Sequence, residues 1–349
     1  MGGSRATRFW ALGLGVVLTA AALGACGDDE ESGGGGGSGG GSVPTVEGYE
    51  IGAGVNDPED ATIAVLQFLP AKATVPVDTP ITWKWSGTEP HSVTFTAPGV
   101  EIPPPGADDA TWFAPQGDAS APYDGSATVS SGLQPLGAPA QDFQLTFSQP
   151  GTYSYYCVIH PQMVGTLDVV ADEADAEDPN EIAARGASER DEFLAEGRAA
   201  KQALESAPAQ RTSNPDGSST WTVQMGASTP NTDILAFAPV PAEVKAGDSV
   251  TFVNESAAPH TASFFGEGAA PIQDPTDPRV NAPAPGPSPQ VLRSTGFANT
   301  GLLPPNAPPG GAPPLEARSF TFQVPAAGTY SYVCILHAPS NMIGTITAS

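Results

Sequence analysis

Cysteine, histidine and methionine recur in this 349-residue sequence as two matched sets. The segment G-T-Y-S-Y-Y-C-V-I-H-P-Q-M-V-G-T (151–166) carries Cys157, His160 and Met163. The segment G-T-Y-S-Y-V-C-I-L-H-A-P-S-N-M-I-G-T (328–345) carries Cys334, His337 and Met342. About seventy residues upstream of each cysteine stands another histidine, His91 in T-E-P-H-S-V-T-F and His260 in A-A-P-H-T-A-S-F. Two imidazoles and a thiolate in a plane, with a weak thioether on the axis, suit copper cycling between its two oxidation states. Zinc also accepts two histidines and a cysteine, and the thioether is what favours copper. A single C-x-x-H reads first as a buried cysteine beside a core histidine, and a single methionine as core filler. Here the whole set is duplicated and uses all 4 histidines of the chain.

The elements that must position these groups follow from the local pattern. C-x-x-H puts thiolate and imidazole at the two ends of a tight loop after a strand whose tyrosines, Tyr153 and Tyr155 or Tyr330 and Tyr332, alternate in and out. The upstream histidine then has to come from a different strand end. Glycine (40) and proline (38) disfavour long helices and favour short strands joined by loops, so mostly β-structure is expected. Only 3 cysteines exist, two of them inside the motifs, so no disulfide framework is being built.

The length fits two domains with connecting segments. From Phe68/Phe237 to His91/His260 the two halves align without a gap at a constant offset of 169, sharing Pro70/Pro239 and Val75/Val244. Between His160 and His337 the offset is 177, the difference falling in proline-rich loops near 97–141 and 266–317. The expected domains are residues 43–171 and 218–349. Between them, 172–217 is a charged, alanine-rich linker in which Ile182, Phe193, Leu194, Ala200 and Leu204 recur at nearly helical spacing, which predicts one helix or two whose apolar stripe packs on a domain. At the amino terminus, Arg5 and Arg8 precede an apolar run from Phe9 to Leu23 that ends in L-G-A-C at Cys26. This reads as a signal peptide over 1–25 followed by a lipid-modified Cys26, with an uncleaved membrane anchor as the alternative. The Gly/Ser run to Ser42 reads as a flexible tether over 26–42.

The formal net charge is −25. Residues 43–171 carry −12 and residues 218–349 carry −4. Such a surface excludes nucleic acid as a partner and would draw a basic redox protein, although acidity also serves solubility. Trp83, Trp85 and Trp112 read as core or loop packing, and Tyr156 beside Cys157, where the second set has Val333, as a candidate for carrying electrons outward.

The C-x-x-H-P-x-M and C-x-x-H-x-x-x-x-M segments, together with P-H-S-V-T-F, resemble the cupredoxins, the first spacing being similar to amicyanin and the second to plastocyanin. Ser92 and Thr261 stand where those proteins usually place asparagine, and the long proline-rich insertions are a second departure. The resemblance implies an all-β protein of two Greek-key β-sandwich domains joined by a helical linker, with two coppers per chain. It implies that His91, Cys157, His160 and Met163 ligate one and His260, Cys334, His337 and Met342 the other. The implied function is one-electron transfer, without enzymatic activity, outside the cytoplasm on a bacterial cell membrane. The implied partner is a redox protein such as a cytochrome or oxidase. The rivals are a copper oxidoreductase of the nitrite reductase or multicopper oxidase kind, which needs additional histidines, and a copper delivery or storage protein, which favours methionine-rich open sites.

Overall fold

Ile63–Leu69 reads I-A-V-L-Q-F-L with no polar alternation, the mark of a strand buried on both faces, and all of its residues are buried. In the computed structural model this strand is the seam of the molecule. The structure describes residues 48–101, 110–135, 139–241, 243–266, 288–293, 296–306 and 314–349. The expected signal peptide, Cys26 and the tether lie outside the described residues, as do large parts of the proline-rich loops. Among the described residues, no helix is long and apolar enough to cross a membrane.

The first sheet-rich region runs β1 (Tyr49–Asn56), β2 (Ile63–Leu69), β3 (Lys72–Pro76), β4 (Pro80–Ser86), β5 (Thr94–Phe95), β6 (Val129–Ser130), β7 (Phe143–Thr146), β8 (Gly151–Cys157) and β9 (His160–Val170). One sheet has the order β2-β1-β4-β7 and the other β3-β9-β8-β5-β6. Their facing sides share a core that includes Phe68, Trp83, Phe95, Tyr155 and Met163. Each large side chain so buried contributes roughly 1.5–3 kcal/mol. Trp83 is core, as expected, and meets Tyr155 edge-on at 5.3 Å.

An α-helix, α1 (Pro179–Ser206), follows. Asp178 caps it by accepting from Asn180 N–H at 2.7 Å, and Pro179 begins it where no N–H is needed. The second sheet-rich region runs β10 (Gln210–Ser213), β11 (Ser219–Ser228), β12 (Thr232–Ala238), β13 (Ser249–Asn254), β14 (Ser263–Phe265), β15 (Gln290–Val291), β16 (Phe297–Asn299), β17 (Ser319–Gln323), β18 (Gly328–Val333) and β19 (Ile343–Ala348). Its sheets, β15-β17-β13-β11-β12 and β16-β14-β18-β19, enclose Phe252, Phe264, Phe322, Tyr332 and Met342.

The two regions are joined by more than the helix. β12 pairs antiparallel with β2, Thr232 opposite Val65 and Ile234 opposite Ile63, so one sheet runs through both. Ala64 and Leu66 on one face of β2 enter the second core and Phe68 the first, while Ile63, Val65 and Leu69 on its other face pack beneath α1 with Leu194 and Leu204. Phe193 and Ala200 pack only partly buried against that cluster. Gly186 and Gly197 are also buried on α1, outside the stripe expected from apolar residues. A Cβ on Gly197 would come within 2.5 Å of Ile63 Cγ2 and 2.7 Å of Thr232 Cγ2, one from each region, so the helix presses on the seam itself. Arg198 holds Asp57 through two bonds of 2.6 and 3.0 Å, a forked charge-assisted contact that fixes the helix against the loop after β1.

Candidate metal centres

Within the described residues, two groups of side chains could hold a metal ion: His91, Cys157 and His160, and His260, Cys334 and His337. In the first, His91 Nδ1 and His160 Nδ1 are 3.0 Å apart, and Cys157 Sγ lies 3.9 and 3.5 Å from them. In the second the corresponding distances are 2.9, 3.7 and 3.3 Å. A first-row metal sits about 2.0 Å from imidazole nitrogen and about 2.3 Å from thiolate sulfur, so every edge of both triangles is short enough for one ion to reach all three donors. Met163 and Met342 are fully buried in the cores that contain Cys157 and Cys334. The structure thus brings together each expected histidine and cysteine set, with each methionine in the same core.

The strands explain how residues so far apart converge. Cys157 ends β8 and His160 begins β9, leaving a two-residue turn. His91 is held from a separate segment by backbone exchange with Gln134, at 2.9 and 2.8 Å. His260 is held likewise by Leu303, at 3.2 and 2.8 Å. Trp85 Nε1 donates to the His91 carbonyl at 3.2 Å, which gives that tryptophan a positioning task beyond packing.

The residues next to the upstream histidines stitch the two ligand segments together. Ser92 N–H donates to Cys157 Sγ at 3.4 Å, and Ser92 Oγ accepts from Val158 N–H at 3.0 Å. Thr261 repeats both contacts with Cys334 Sγ and Ile335 N–H, at 3.4 and 3.0 Å. Each of these residues therefore joins the two ligand segments through both a backbone donor and a hydroxyl acceptor, and each hydroxyl also lies 3.0 Å from a second one, Thr94 or Ser263.

Two glycines make room for the upstream histidines. Gly54 (φ +72°) and Gly226 (φ +78°) sit at register shifts in β1 and β11, where a β-bulge turns the strand. A Cβ on Gly54 would stand 2.2 Å from His91 Nε2, and one on Gly226 2.8 Å from His260 Nε2. The outer nitrogens then differ: His260 Nε2 lies 2.7 Å from Ser256 Oγ, whereas His91 Nε2 is buried without a partner.

The larger asymmetry comes from Glu89. It is buried, accepts from Ser340 Oγ at 2.9 Å, and pairs with His337 Nε2 at 3.1 Å. Burial opposes its charge, yet His337, then His160 and Ser340, hold the carboxyl below its ordinary range. Burial pulls His337 down, but Glu89 and Cys334 carry it well above an ordinary histidine. Cys334 is lowered by His337 against the effect of burial. In the first centre burial prevails: His160 is pulled down to about 4, His91 well below its usual value, and the Cys157 thiol upward. Glu89, Ser340, Gly54 and Gly226 are not among the residues the sequence singled out. The available signal was the mismatch of T-E-P-H with A-A-P-H and the two additional residues between His337 and Met342.

Comparison with known proteins agrees with this donor set. Residues 56–170 match the family model described as copper binding proteins, plastocyanin/azurin family. A search of curated proteins finds no match. Similar solved structures include a copper(I) form of an amicyanin mutant, 20% identical over 35% of this chain and 82% of that one, with a TM-score of 0.23. An oxidised amicyanin mutant is 22% identical over 35% and 82%, with a TM-score of 0.23. A third amicyanin mutant, in its copper(I) form, is 26% identical over 29% and 70%, with a TM-score of 0.20. The part of this chain that matches the plastocyanin/azurin copper-binding family, residues 56–170, is the part that holds the His91, Cys157 and His160 donors.

Proposed function

We propose that the chain is an exported blue-copper protein that carries single electrons through two mononuclear sites. His91, Cys157, His160 and Met163 hold one copper, and His260, Cys334, His337 and Met342 the other. The observation that carries this reading is the second buried triangle of two Nδ1 atoms and one Sγ, with edges of 2.9, 3.3 and 3.7 Å, outside the segment matched by the family model. Bound copper would supply a one-electron couple with a thiolate bond that absorbs visible light. The chain's own residues do the rest. Backbone N–H groups of Ser92 and Thr261 stabilise the thiolates, and burial keeps the donors from the surface.

Catalysis at a further copper centre would need histidines beyond the four already used. Delivery or storage would need donors open to exchange, whereas these are buried. The expected domains 43–171 and 218–349, with Greek-key connectivity and the linker 172–217 between them, form part of the proposal. So do a diacylglycerol on Cys26, the tether 26–42 and a bacterial cell membrane location. The partner is a redox protein, a cytochrome or oxidase, whose basic surface meets the acidic residues 43–171. The copper-loaded protein should exchange electrons with a small basic redox protein while neither reducing nitrite nor consuming dioxygen with a phenolic donor. Robust copper-dependent turnover of either substrate contradicts the reading. Mass analysis of the mature amino terminus tests the anchor, and an unmodified terminus beyond Cys26 overturns it.

A further inference from the structure

Glu89 is a buried carboxylate carried by the segment that leads into His91, yet its hydrogen bonds go to the other centre. Its Oε2 lies 3.1 Å from His337 Nε2 and its Oε1 accepts from Ser340 Oγ at 2.9 Å. Thr88, beside it, places its hydroxyl 2.6 Å from Ser340 Oγ, and Thr88 N–H donates to Asn56 Oδ1 at 2.7 Å. Ser340 belongs to the longer loop between His337 and Met342, a loop closed by Ser340 N–H and Met342 N–H donating to the His337 carbonyl, both at 3.1 Å. The additional loop length of the second centre therefore builds the contact with the first region. At the position that aligns with Glu89, the second region has Ala258, so the contact has no counterpart in the other direction.

A histidine that ligates a metal through one nitrogen is commonly oriented by a carboxylate on the other, which fixes the tautomer and raises ligand basicity. Building on the two-site reading, we propose that Glu89 is a positioning residue of the second copper site, supplied across the seam by the first region. It holds His337 with Nδ1 toward Cys334 Sγ, and Ser340 locks the carboxylate in that place. The second site is complete only while the two regions are docked. It is also linked to the first by an almost covalent path, His337 to Glu89 by one hydrogen bond and Glu89 to His91 through Pro90.

The test measures copper(I) affinity, by competition with a chromophoric chelator, and the reduction potential of each site in isolation, using the full chain with Cys157→Ser to read the second site and with Cys334→Ser to read the first. Glu89→Ala should weaken the second site by about 10- to 100-fold and shift its potential and visible band. Glu89→Gln, which keeps an oxygen acceptor but loses the charge, should weaken it less, and in both variants the first site should change less than the second. Should Glu89→Ala not fold, Glu89→Gln and Ser340→Ala carry the same comparison. Equal second-site affinity and potential in all variants, or equal loss at both sites, overturns the proposal. Two coppers in the unmodified protein with no effect of Glu89 overturns this inference alone. A single copper in the unmodified protein overturns it together with the two-site reading.

Discussion

Glu89 meets His337 at 3.1 Å with both side chains buried, and that contact makes two otherwise parallel donor sets chemically unequal. In the metal-free protein it leaves Cys334 shifted toward thiolate through His337, while burial pushes the Cys157 thiol upward, its neighbour His160 being itself pulled down by burial.

The thiols should therefore titrate in a fixed order. In metal-free protein carrying Cys26→Ala, the variant that retains only Cys334 should develop ultraviolet thiolate absorption at lower pH than the variant that retains only Cys157. Coincident titrations, or the reverse order, would show that the carboxylate does not control the second thiol.

Gly54 and Gly226 should resist substitution for two separate reasons. Each adopts a left-handed backbone that costs an ordinary residue about 1–2 kcal/mol. In addition, the new methyl would stand 2.2 Å from His91 Nε2 or 2.8 Å from His260 Nε2. Gly54→Ala should thus weaken copper binding at the first site by at least about tenfold, the scale of a disturbed metal surrounding, with the second site retained. Gly226→Ala should do the converse. A loss of thermal stability with both copper affinities intact would mean that the strain is absorbed away from the histidines.

Which parts of this arrangement were legible in the sequence follows from the range of the interactions. Cys157, His160, Cys334 and His337 declare themselves by type and by a spacing that one tight loop enforces. Trp83 and Tyr155 declare themselves as core by strand alternation. The helix was legible from Leu194 and Leu204, but Gly186 and Gly197 were not, since a glycine chosen for close approach looks the same as one chosen for a turn. The β2 and β12 seam left a trace in the unalternating I-A-V-L-Q-F-L, although its partner could not be read from that run. Glu89 was silent because its meaning depends on Ser340, a residue brought near only when both regions are folded and docked.

Asp233 sits at that seam opposite Ala64, accepting from Ser228 Oγ through Oδ1 while Oδ2 is buried without a partner. Burial raises its carboxyl from 3.8 to about 6. Because the folded value exceeds the unfolded one, the charged form is disfavoured by folding, and stability falls as pH rises through roughly 4 to 6. Asp233→Asn should therefore stabilise the metal-free protein at pH 7 by about 3 kcal/mol and leave it unchanged near pH 3. Denaturant unfolding at the two pH values decides it. Equal stability of both proteins at pH 7 would show that the carboxylate is solvated.

The central claim, that each of two buried His, Cys, His and Met sets holds its own copper, is tested most directly by copper analysis together with the visible spectrum of the loaded protein. Two coppers per chain are predicted, with Cys157→Ser and Cys334→Ser each losing one copper and one thiolate-to-copper band. One copper in the unmodified protein, or both bands surviving either substitution, would contradict the account.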